Sequence, residues 1–162
     1  MSSTDVSTDA STATPAPGTI DMKLEVITIP VSDVDRAKSF YASLGWRLDA
    51  DFDLGNGIRV VQFTPTYSDC SVSFGSGIIK GEPGSVERIE VVVSDIEAAR
   101  ADLISRGVEV SEPFHKGAAG FEPGLDPERT SYNSYATFSD PDGNGWILQE
   151  VTDRLPGRVW ED

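Results

Sequence analysis

Arg88 and Glu90 stand two apart in RIEVVVSD (88–95), and a guanidinium beside a carboxylate on one strand face is a pairing that can do chemistry. Arg88 would hold an anionic or carbonyl oxygen, while Glu90 takes a proton or accepts a ligand hydrogen bond. The only histidine, His115, lies in EPFHKGAAGFEPGLDPERTSYNS (112–134) with Phe114, Phe121, Arg129 and Tyr132. That segment is too long for an ordinary connection and reads as a lid. Glu90 or His115 moving a proton and Arg88 stabilising charge make one candidate site. A local Arg88–Glu90 ion pair and a solvent-exposed His115 are the plainer alternatives.

The elements that must position these groups come from a repeat. Shifted by 62 positions, residues 25–48 align without a gap on 87–110, with Ile27, Ser32, Asp33, Ala37 and Gly45 falling on Ile89, Ser94, Asp95, Ala99 and Gly107. Each copy has a β-branched run, then Ser-x-x-acid (Ser32 with Asp35, Ser94 with Glu97), the pattern of a reciprocal helix cap. Apolar residues follow at helical spacing: Val34, Ala37, Tyr41 and Leu44, then Ile96, Ala99 and Leu103. Gly45 and Gly107 stand where a helix ends with a residue at positive φ. Strand-like sequence comes next: WRLDADF, GIRVVQFTP and CSVSFGSG in the first copy, VEVSEPF, SYATFS and WILQEV in the second.

This order predicts an α+β fold of two tandem βαβββ modules forming a curled mixed sheet with an open cleft. The expected boundaries are a disordered N-terminal tail over 1–21, a first module over 22–80, a linker over 81–86, a second module over 87–152 and a C-terminal tail over 153–162. Side chains alternate along a strand, so Ile27, Ile29, Val31, Ile89, Val91 and Val93 should pack under the helices. Val26, Thr28, Pro30, Arg88, Glu90 and Val92 should then line the cleft. Gln62, on VVQFTP, and Tyr135 are further cleft candidates, and Trp46 and Trp146 are expected to fill the core or a module interface.

Thirteen Lys plus Arg against 27 Asp plus Glu leave a net charge of −14, which repels phosphate backbones and anionic lipid heads. Nucleic-acid and membrane partners are therefore not expected. No apolar run approaches the roughly 20 residues that span a bilayer. The single Cys70 cannot form an intramolecular disulfide, and no Cys/His zinc spacing occurs, which fits a cytoplasmic setting.

With DVDRAKSFYASLGW after the first strand and DPDGNGWILQEV near the end, the chain resembles the vicinal oxygen chelate superfamily of glyoxalases, bleomycin-resistance proteins and extradiol dioxygenases. The resemblance covers roughly residues 23–152. It implies metal ligands seven residues before each strand-ending Asp, here Val26 and Arg88, and a carboxylate three residues after the Asn of DPDGN, here Ile147. Valine has no donor atom and a guanidinium stays protonated, so neither binds a cation. Gln149, brought in by a bulge, would offer only a neutral amide in place of a carboxylate, and Glu150 points the other way by alternation. The expectation is no metal and no cofactor.

Two functions follow. One is a metal-independent protein similar to the bleomycin-resistance branch, binding a small metabolite or antibiotic in the inter-module cleft through Arg88, Thr28, Val26, Gln62, Ile147, Gln149 and Tyr132. The other is a cofactor-free isomerase, lyase or cyclase using Glu90 or His115 for proton transfer. Both leave sheet edges that need covering, so a homodimer or a two-module monomer is expected, the homodimer ahead of the monomer.

Overall fold

The protein is described by a computed structural model over residues 18–155. Most of the two expected tails, Trp160 among them, lies outside these residues. Lys23–Thr152 form one compact unit that carries every helix and strand described here; residues 18–22 and 153–155 carry neither.

The first module runs β1 (Val26–Thr28), α1 (Val34–Ser43), β2 (Arg47–Gly55), β3 (Ile58–Thr64) and β4 (Ser71–Ser76). The second runs β5 (Ile89–Val93), α2 (Ile96–Ser105), β6 (Phe114–Gly117), β7 (Gly120–Pro123), β8 (Tyr135–Ser139) and β9 (Gly145–Glu150). Two open mixed sheets result, in the orders β1-β4-β3-β2 and β5-β9-β8-β6-β7. In each, the strand before the helix pairs in parallel with the module's last strand, and the remaining pairs are antiparallel. The α+β architecture is therefore the one the repeat predicts, and α1 and α2 themselves stand 62 residues apart.

Local chemistry differs from expectation at three points. Each helix is capped by Asp, not by the preceding Ser: Asp33 Oδ1 accepts the Arg36 N–H at 3.0 Å and Asp95 Oδ1 the Ala98 N–H at 3.0 Å. A carboxylate at a helix start also meets the positive end of the helix dipole. Ser32 is diverted, its N–H donating to Asp142 at 3.0 Å and its hydroxyl to the same carboxylate. Second, VEVSEPF forms no strand before Phe114: Pro113 lacks a backbone donor, and Ser111 Oγ takes the Thr137 N–H at 2.9 Å. Third, the long 112–134 segment holds the β6–β7 hairpin, which extends the second sheet at its far edge.

The alternation along β5 and β9 follows the sequence reading. Ile89, Val91 and Val93 pack against the core while Arg88, Glu90 and Val92 are exposed, and Trp146, Leu148 and Glu150 are buried. Ile27, expected under the helices, is instead 37% exposed, and Pro30, expected in the cleft, is buried where Asn144 of the second module reaches its carbonyl. One core joins the helix-side faces of both modules, centred on Tyr41, with Phe74 at 5.3 Å and Trp146 at 6.0 Å between ring centroids. Trp46 meets Trp146 edge-on at 5.1 Å.

The DPDGN turn fastens this arrangement. Asp140, 5% exposed, accepts from the Tyr41 hydroxyl at 2.9 Å, from Asn144 Nδ2 at 2.8 Å, and from the N–H groups of Asp142 and Asn144. Asn144 Nδ2 also donates to the Pro30 carbonyl at 2.8 Å, and its Oδ1 accepts the Val86 N–H at 3.2 Å. Gly84 packs beside the turn: at φ +79° a Cβ would stand 2.0 Å from the Asp142 carbonyl oxygen, so only glycine fits. Burial and then Asp140 push the Tyr41 phenol far above its ordinary pKa, so it stays a donor. Tyr41→Phe would leave the buried Asp140 and the Trp146 Nε1–H each short of a partner. Its unfolding free energy in urea should fall by about 1–3 kcal/mol with the fold retained.

Candidate functional site

Directly paired residues share a sheet face, so the strand registers assemble the candidate side chains. In the first sheet Val26 pairs with Ser71, Thr28 with Ser73, and Gln62 with both Ser73 and Ala50. Val26, Thr28 and Gln62 thus lie together on the face away from the helix. In the second sheet Glu90 pairs with Ile147, Val92 with Gln149, and Tyr135 with both Gln149 and Phe114. This gathers Glu90, Ile147 and Gln149, with Arg88 by alternation, on one face.

The modules meet on their helix sides, and the opposite faces carry exposed apolar residues, among them Phe52 at 60% and Phe121 at 68%, with Val26 and Val92 partly open. A hollow of about 90 Å³ is lined by Ile27, Val72, Ile89 and Trp146 with Glu90 also lining it.

Arg88 Nε donates to Glu90 Oε1 at 2.8 Å and Nη2 donates to the same oxygen, so the two charges satisfy each other at an exposed strand edge. His115 lies elsewhere. Its neighbour Phe114 shares the face of Glu90, so the imidazole is on the other face, and β9 and β8 intervene between β5 and β6. At about 4.8 Å per strand that is three spacings. His115 is 7% exposed, with Nδ1 at 2.8 Å from the Gly124 carbonyl and Nε2 at 3.5 Å from Glu122. The structure does not bring Glu90 and His115 together.

An aromatic wall occupies the outer face instead. Phe114 stacks on Tyr135 with ring centroids 5.5 Å apart and meets Phe121 edge-on at 5.6 Å; Phe121 and Tyr135 are 6.1 Å apart. Gln149 Nε2 and the Tyr135 hydroxyl both donate to the Tyr132 carbonyl, at 2.9 and 2.7 Å. Tyr132 takes part through its backbone, at φ +71°. The sequence reading placed Phe114 and Phe121 in a lid; the pairing of β6 with β8, which turns them into a wall, has no signature in composition.

Residues 23–148 match the sequence model of the Glyoxalase/Bleomycin resistance protein/Dioxygenase superfamily. The chain belongs to this superfamily. Its fold is shared with TnmS3, an antibiotic binding protein from Streptomyces sp. CB03234, at 30% identity over 81% of this chain and 97% of that one, with a TM-score of 0.63. A glyoxalase/bleomycin resistance protein from the same organism is 31% identical over 79% of this chain and 100% of its own, with a TM-score of 0.61. A superfamily member from Sphaerobacter thermophilus DSM 20745 is 27% identical over 80% and 98%, also at 0.61. No curated protein matches the chain.

The superfamily's metal-using members need donors at positions that are here Val26, Arg88 and Ile147. The Val26 and Ile147 side chains offer carbon only, Arg88 is a cation bound to Glu90, and Gln149, its Nε2 given to Tyr132, has only a neutral amide oxygen to offer. This donor set does not fit a divalent ion. Among the described residues no three His, Cys, Asp or Glu side chains converge as a metal site would require, and no helix is long and apolar enough to cross a membrane.

The carboxylate of β9 does different work on the other face. Glu150, its side chain 2% exposed, accepts from Arg129 Nε at 2.8 Å and Nη2 at 2.6 Å, and from the Ile96 N–H at the start of α2 at 3.0 Å. Arg129 holds the carboxyl below its ordinary pKa against the opposing effect of burial, with the Ile96 N–H helping. A folded pKa below the unfolded one contributes stability that is complete above the unfolded value and is lost as pH falls through the folded value. Arg129→Met should therefore cost about 3 kcal/mol at neutral pH by leaving a buried carboxylate without its cation. The gap from the wild type should close as urea titrations are repeated below about pH 4.5, where the variant's carboxyl is neutral.

Proposed function

We propose that this superfamily member is a metal-independent binding protein that holds a small, flat, partly aromatic metabolite or antibiotic against the outer face of its second sheet. The observation that carries the reading is the wall of Phe114, Phe121 and Tyr135. Three mutually packed rings on an open strand face offer stacking surface that the core does not use. Gln149 beside them supplies the placed polar group that orients a ligand, and Ile147 and Val92 supply apolar floor. The poor fit of Val26, Arg88 and Ile147 to a metal supports recognition without a Lewis acid. That TnmS3, a chain of the same fold at 30% identity, is an antibiotic binding protein agrees with it.

A second copy of the chain covers the wall in this reading. Each outer face is too open to enclose a ligand alone, and a homodimer would set one copy's sheet across from the other's while burying Phe52 and Phe121. Arg88, Glu90, Val26, Thr28 and Gln62 then contribute polar and apolar contacts around the ligand.

The test is a fluorescence titration with a flavone as the flat probe, followed by recovery of the probe. Binding without change in the recovered flavone is expected, with Tyr135→Ala and Phe121→Ala each weakening it about tenfold, the loss of one ring contact. Addition of Zn(II) or Mn(II) should shift neither the affinity nor the melting temperature, and light scattering should give twice the chain mass. Equal affinity in the wild type and both variants would overturn the proposal, as would chemical conversion of the probe that Glu90→Gln abolishes.

A further inference from the structure

A second surface in the first module has the make-up of a site and goes beyond the reading above. The strand registers place Thr64 and Ser71 beside one another, their hydroxyl oxygens 2.7 Å apart, and Thr64 also donates to Asp49. Asp49 accepts from Arg47 Nε, and Arg47, Thr64 and Gln62 together hold its carboxyl below the ordinary range. Asp49 thereby holds Arg47 by its Nε, while the Arg47 side chain as a whole remains 74% exposed.

Arg47 lines a recess of about 580 Å³ at the β3–β4 loop, together with Thr64, Thr66, Tyr67, Ser68 and Asp69. The volume is within the usual range of small-molecule pockets, but the lining is unlike theirs in being mostly polar. The loop is braced from within. Ser68 N–H donates to the Pro65 carbonyl at 3.0 Å, and the Ser68 hydroxyl donates to the Cys70 carbonyl at 2.7 Å while accepting its N–H at 3.2 Å. At the top of this loop Tyr67 has φ +64° and is fully exposed. A bulky residue in the left-handed region carries a local cost, and here no buried contact of the ring offsets it.

We propose that this recess is a binding subsite for an uncharged, hydroxyl-rich group of the saccharide type. The charges decide against anions: Arg47 is balanced by Asp49, Asp69 adds a further negative charge, and the chain as a whole is at −14. What remains is a set that matches vicinal hydroxyls. The forked guanidinium of Arg47 donates to a pair of oxygens, the Asp69 carboxylate accepts from a pair of O–H groups, and Thr66 does either. The exposed ring of Tyr67 is a face for the C–H side of a pyranose. The site lies within one module and needs neither the aromatic wall nor a second copy.

Amide chemical-shift mapping with methyl glucoside as the probe tests it, with the flavone titrated separately into the same protein. Saturating glucoside shifts confined to residues 45–47 and 64–70 are expected. Tyr67→Ala and Arg47→Met should each weaken that binding about tenfold, a change of about 1.4 kcal/mol, and leave the flavone unaffected. Both side chains are largely exposed, so neither variant endangers the fold. Glucoside shifts that are absent, fail to saturate, or keep their midpoint in both variants would overturn the subsite. Loss of flavone binding alone would overturn the aromatic-wall reading and leave the subsite standing.

Discussion

The two modules hold together through one buried carboxylate. Asp140 receives four hydrogen bonds, and the one from Tyr41 crosses between modules, tying the helix of the first to the turn before the last strand of the second. Asn144 completes the fastening by reaching the Pro30 carbonyl two residues past the end of β1. A charged group this deep is tolerated only because donors surround it, and the same donors fix the position of both strands that flank the outer faces. With the helix sides thus committed to a common core, the outer faces are left to meet solvent, ligand or another chain.

How much of this the sequence disclosed depends on the range of the interaction. The repeat, the helix ends at Gly45 and Gly107, and the alternation of Glu90 against Ile89 are local patterns with periods of two or 3.6 residues, and they can be read directly. DPDGN could be read as a turn, but not as a junction, since its partners Pro30 and Tyr41 lie about a hundred positions away. Ser32 illustrates the same limit: as a sequence it reads as a cap, yet Asp142 competes for it from the other module. Asp49 gave no signal at all. It is one of three alternating aspartates on β2, and only an irregular register between Leu48 and Ala50 turns it towards Thr64 rather than solvent.

Glu90 and Glu150 make the value of strand parity concrete. They sit on adjacent strands of one sheet, carry the same functional group and differ in every consequence. Glu90 points outward and is neutralised by Arg88 in solvent, where an ion pair contributes little. Glu150 points inward, caps the start of α2 and anchors the strap that carries Arg129. That strap continues to Tyr132, whose carbonyl receives Gln149 and Tyr135 from the outer face. A buried structural carboxylate thus helps orient the side chains of the aromatic wall without touching anything that would bind there.

The β6–β7 hairpin is joined to the rest of its sheet by a single residue pair, Phe114 with Tyr135, whereas β8 and β9 are paired along their length. It is, in mechanical terms, a cantilever. Its length, tilt and ring content can change with little strain passed to the core, because one pair transmits far less than a ladder does. Two of the three rings of the wall ride on it. Exchange of the hairpin as a cassette between otherwise similar chains would then change which rings the outer face presents, and this offers evolution a short route to varying that surface.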